Sequence, residues 1–117
     1  MLSPDIIANV HMRASDKGGK SVIIPAVQYR CQLIIDSLYF DCRLLLDQTG
    51  VSLEPGKMAE IQVKFLFDDV IFNHLRIGAK FSLWDMRVFA DGEIWRISIR
   101  LIRSTLLALY ALDSWWS

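Results

Sequence analysis

The chain has 117 residues, 53% of them hydrophobic and 22% charged, with 13 Lys and Arg balanced by 13 Asp and Glu. That length supports one domain with a real core rather than two, and so apolar a composition excludes a disordered tail or linker. Zero formal net charge removes the global electrostatic footprint of a nucleic-acid or acidic-membrane binder and leaves only local patches to consider.

The opening Met1-Leu2-Ser3-Pro4-Asp5 has neither the basic region nor the long apolar stretch of a signal peptide, which predicts a cytoplasmic, reduced setting. From Asp5 to Ala14 the hydrophobic rhythm is that of a strand, followed by a glycine-paired turn, Ser15-Asp16-Lys17-Gly18-Gly19-Lys20. Val22-Ile23-Ile24 reads as a short strand closed by Pro25. Gln28 to Ile35 and Leu38 to Leu46 form two strands around a turn at Asp36-Ser37. Gln48 to Lys57 is a loop, with a turn signal at Pro55-Gly56. From Met58 the alternation sharpens: Ala59, Ile61, Val63 and Phe65 share one face, and Glu60, Gln62 and Lys64 the other. Phe67 to Ile77 connects onward to Gly78. Lys80 to Trp84 and Val88 to Ala90 read as short strands, with a turn or bulge at Asp91-Gly92. Ile94 to Leu101 places Trp95, Ile97, Ile99 and Leu101 on one side, and Arg96, Ser98 and Arg100 on the other. Short strands with frequent turns and no amphipathic helix before residue 100 predict an all-β domain, a small antiparallel barrel or sandwich.

The last stretch changes character. Ser104 caps an expected short helix over Thr105 to Leu112, and the chain ends Ser114-Trp115-Trp116-Ser117. Either this tail packs over a barrel opening, or Leu109, Tyr110, Trp115 and Trp116 meet a partner or a second copy through residues 104–117. Its apolar run is far short of the roughly 20 residues of a spanning helix, so no membrane role is expected.

The order of landmarks resembles the C-terminal β-barrel domain, the third domain, of elongation factor Tu. Asp5-Ile6-Ile7-Ala8-Asn9-Val10 and Asp16-Lys17-Gly18-Gly19-Lys20 match its opening strand and glycine hairpin, and Tyr29-Arg30 leads into a long hairpin. Leu53-Glu54-Pro55-Gly56-Lys57, Leu75 to Leu83 and Asp91-Gly92-Glu93-Ile94 follow in sequence. The resemblance covers about residues 2 to 99 and implies a closed six-stranded barrel of the translation-factor type over residues 1–100, with 101–117 as a tail. In that family the barrel helps to hold the T stem of aminoacyl-tRNA, and Lys20 keeps the basic residue after the glycine pair. The second hairpin departs from the pattern: Asp36-Ser37-Leu38-Tyr39-Phe40-Asp41-Cys42 replaces a polar, threonine-rich run. There is no GxxxxGK[ST] loop for nucleotide.

Charge is uneven along the chain. Acids outnumber bases six to three between residues 41 and 70, and bases outnumber acids six to three between 71 and 103. Lys17, Gly18, Gly19, Lys20, Arg96 and Arg100 form the candidate binding patch for phosphate or RNA, set against the alternative of a solvated strand face. A two-residue turn at Asp36-Ser37 sets Cys31 directly opposite Cys42, as a packed thiol pair or a redox bridge. His11 and His74 have no metal-ligand spacing, no cofactor is implied, and no Ser, Cys or Thr sits in a recognisable nucleophile setting. Asp68-Asp69 is the one adjacent acidic pair; on a strand its carboxylates would face apart. The expectation is a non-catalytic module with a protein partner, for instance a bacterial decoy or immunity-type protein. The alternatives are RNA or tRNA binding and a structural homo-oligomer formed through the tail.

Overall fold

The computed structural model describes residues 2–14 and 22–98. Six strands make up the described fold: β1 (Ile6–Met12), β2 (Gln28–Ile35), β3 (Leu38–Leu45), β4 (Met58–Phe65), β5 (Lys80–Trp84) and β6 (Val88–Ile97). They pair antiparallel in the order β1-β4-β3-β2-β5-β6, and β6 returns to β1 to close a barrel. Closure gives each of these six strands a neighbour on both sides. The alternating positions fill the interior: Ile6, Ala8, Val10 and Met12 of β1, Leu33 and Ile35 of β2, Ile61, Val63 and Phe65 of β4, and Phe81 and Leu83 of β5 are all buried.

The β2–β3 hairpin turns on Asp36 and Ser37, both with positive φ (52° and 63°). Two left-handed residues make the turn whose twist matches paired strands. The His74 ring shares a 2.9 Å hydrogen bond with the Asp36 carboxylate, through Nδ1, tying the turn to the segment before β5. The resulting register puts Cys31 opposite Cys42, as the turn length implied.

Several sequence expectations change. Val22-Ile23-Ile24 is not a strand; only Ile24 pairs, in an isolated bridge with Leu53, and both side chains are buried. The loop after β3 opens as one helical turn, α1 (Leu46–Thr49), closed by left-handed Gly50 (φ 67°). The connection after β4 coils into α2 (Asp68–Ile71) and a 3-10 turn (Phe72–His74), so Asp68-Asp69 opens a helical turn rather than continuing a strand. Ile71 is buried there.

The largest correction concerns the last strand. The expected strand Val88 to Ala90 and the start of the expected strand Ile94 to Leu101 are one ten-residue strand, β6, which runs through Asp91-Gly92 to Ile97; Ile99 to Leu101 lie outside the described residues. Gly92 serves there as a close-approach site, not as a turn. It lies opposite Phe81, and a Cβ at this position would overlap the Phe81 ring. A bulge also interrupts the β1–β6 ladder: Ile7 pairs with Arg96 and Ala8 with Ile94, leaving Trp95 as the extra residue. Trp95 is therefore exposed, while Ile97 packs against the core, so the two do not share a face as the alternation suggested. The expected C-terminal helix over Thr105 to Leu112 lies outside the described residues.

Candidate functional site: an outer-face groove

The strands carry two sets of side chains, and the outward set on β2, β3 and β5 builds a groove of about 240 Å³. Arg30 and Gln32 enter from β2, Asp41 and Arg43 from β3, Trp84 from the end of β5, and Leu66 from just beyond β4. Gln32 pairs with Asp41 on one side and with Trp84 on the other, so three strands meet at one spot. The Gln32 amide donates to the Asp41 carboxylate at 3.0 Å, and the Leu66 backbone N–H donates to the Asp41 carbonyl at 3.1 Å. At the margin the Tyr29 hydroxyl donates to the Asp85 carboxylate. Tyr39 stands edge-on to Trp84, with ring centroids 6.0 Å apart and planes at 85°, and is itself 56% exposed. Two arginines, a tryptophan, a tyrosine and an exposed leucine thus gather on one outer surface.

Cys31 and Cys42 line the same groove from the strand backbone side, with their Sγ atoms 3.7 Å apart. That is a thiol contact, well beyond the ~2.05 Å of a disulfide bond. The Cys42 pKa is pushed well up, first by its hydrogen bond with Cys31, then by burial and by nearby negative charge. A thiol held protonated in this way is a poor nucleophile at neutral pH.

The candidate patch inferred from sequence is only partly described. Arg96 lies on the outer face of β6, exposed, beside a second groove of about 260 Å³ that Ser3, Pro4 and Ser98 also line. Lys17, Gly18, Gly19, Lys20 and Arg100 lie outside the described residues, as do Leu109, Tyr110, Trp115 and Trp116. Between β1 and β6, Arg13 clamps Asp91 with two hydrogen bonds of 2.9 Å and 3.1 Å, and the Ser82 hydroxyl adds a third at 3.0 Å. The Arg13 hydrogen bond, followed by that from Ser82, holds the Asp91 carboxyl below its usual range against the opposing effect of partial burial. Among the described residues no three His, Cys, Asp or Glu side chains gather as metal ligands. No helix among them is long and apolar enough to cross a membrane.

Sequence reasoning missed the groove, although part of its signal was available. The hairpin register that opposes the cysteines also opposes Arg30 and Arg43. Trp84 joins them only because β5 pairs with β2, a contact between segments far apart in the chain. A scan of known protein-family models finds no match to the chain, and a search of curated proteins likewise finds none.

Proposed function

We propose that this chain is a non-catalytic binding module for a protein partner, built on a barrel akin to the third domain of elongation factor Tu. The observation that carries the protein-binding role is exposed Tyr39 standing edge-on to half-buried Trp84, which lines one groove with Leu66 and two arginines. Trp, Tyr and Arg are the residues that most often anchor protein interfaces, and a tyrosine as exposed as Tyr39 contributes little to a core. The kinship is supported by the closed six-stranded barrel and by glycines at the landmark turns, Gly56 (φ 79°) and Gly78 (φ 86°).

Affinity capture from bacterial lysate tests the role, comparing the wild type with the double variant Tyr39→Ala, Trp84→Ala. The expected result is a protein, such as a translation component or a toxin, retained by the wild type and lost from the variant. If no captured protein depends on these two rings, the proposal fails. RNA binding is the second reading, favoured by the exposed Arg96. A gel shift with tRNA at low salt, abolished by Lys17→Glu with Lys20→Glu, would support it instead.

A further inference from the structure

The register places Arg30 of β2, Arg43 of β3 and Lys64 of β4 in one outward-facing row, since Arg30 pairs with Arg43 and Arg43 with Lys64. Like charges directly opposed across a ladder destabilise it, so such a row calls for anions. Lys64 has one: its Nζ lies 3.4 Å from the buried carboxylate of Asp5. Among the described residues neither Arg30 nor Arg43 makes an ion pair. Both guanidinium groups belong to the groove whose other walls are Trp84 and Leu66.

The geometry points to a docking groove for an acidic segment of the protein partner. One Asp or Glu carboxylate sits between Arg30 and Arg43, and an adjacent large apolar side chain rests on Trp84 and Leu66. Arginine's planar fork suits a carboxylate, and a hydrogen bond with charge on both sides is stronger than a neutral one. The flanking acids determine the class of partner. Asp41 and Asp85 line the same groove, so a nucleic-acid strand would bring successive phosphates against these carboxylates. A peptide can present one acid to the arginines and apolar or neutral groups to the remainder. This inference rests on the protein-binding role proposed above and adds the partner's chemistry and the residues that recognise it.

Selecting a random peptide library on the intact protein tests it. Recovered peptides are titrated by fluorescence anisotropy against the wild type and the variants R30Q, R43Q and W84L, each checked for fold by circular dichroism. The expected peptides carry Asp or Glu beside a large apolar residue. Either arginine change, or replacing the peptide's acid by its amide, should weaken binding about tenfold or more. W84L should weaken the same peptides without altering their requirement for an acid. The inference is overturned if no peptide is enriched, if the enriched peptides have no acid preference, or if they bind R30Q and R43Q as well as the wild type. It is also overturned if single-stranded RNA binds through Arg30 and Arg43 more tightly than any peptide. Capture that depends on Tyr39 and Trp84 but not on the arginines would sink the acidic-segment assignment alone, leaving the protein-binding role intact.

Discussion

Asp91 shows how a single carboxylate ties the barrel shut where β6 returns to β1. Its contacts with Arg13 and Ser82 favour the charged form, so its folded-state pKa lies below that of the unfolded chain. The sign follows directly: the stabilisation is full above the unfolded value and is lost as pH falls through the lowered folded value. Both side chains are more than a third exposed, at 38% and 46%, so solvent screening keeps the effect small. Asp91→Asn should cost about 0.5 kcal/mol at neutral pH. Urea denaturation at neutral and strongly acidic pH checks this, because the gap between variant and wild type should close in acid. Cys42 carries the opposite bias, being held in its neutral form by Cys31 and by burial. Two polar groups near the barrel wall are thus tuned in opposite directions, one chiefly by hydrogen bonding to a cation and the other chiefly by hydrogen bonding to a neighbouring thiol.

Among the elements, β6 departs furthest from its sequence pattern. Glycine after aspartate reads as a turn, yet Gly92 sits inside a strand because the Phe81 ring occupies the space where its Cβ would be. An aromatic ring over a strand glycine is a recurring way to fix register and curvature. Gly92→Ala should therefore destabilise the barrel by about 1–3 kcal/mol through overpacking. Adding Phe81→Leu should recover part of the loss, and the shift in urea midpoint measures both. Strands whose two faces meet core and solvent were legible, as with Ala59, Ile61, Val63 and Phe65, since alternation records that difference directly. The hairpin at Asp36-Ser37 was legible as well, because its turn length sets the register. The Trp95 bulge was not, as an extra residue leaves the local pattern of apolar side chains unchanged while reversing its phase against the neighbouring strand. The same limit applied to the groove. Opposed arginines follow from one hairpin, but their encounter with Trp84 and Leu66 needs strand neighbours that no local window contains.

For the molecule as a whole, closure is complete by Ile97, where β6 meets Ile6 of β1. Deleting residues 104–117 should consequently leave a folded barrel with a single cooperative unfolding transition, as followed by circular dichroism and size-exclusion chromatography. Aggregation or loss of cooperativity on deletion would instead show that the tail completes the core. A neutral chain has little charge repulsion to oppose self-association, so giving every strand of the barrel two neighbours matters more here than it would in a highly charged protein. The pairing of β1 with β6 also has a consequence for biosynthesis. While the chain is being made, β1 is finished at Met12, but its second neighbour is not complete until synthesis has reached Ile97. At synthesis rates of about 5–20 residues per second, β1 waits for several seconds with one side uncovered. Barrel closure is thus timed by translation: the last strand must clear the exit tunnel before the first is fully covered. During that interval the nascent chain is the form of this protein most exposed to chaperones and to mispairing.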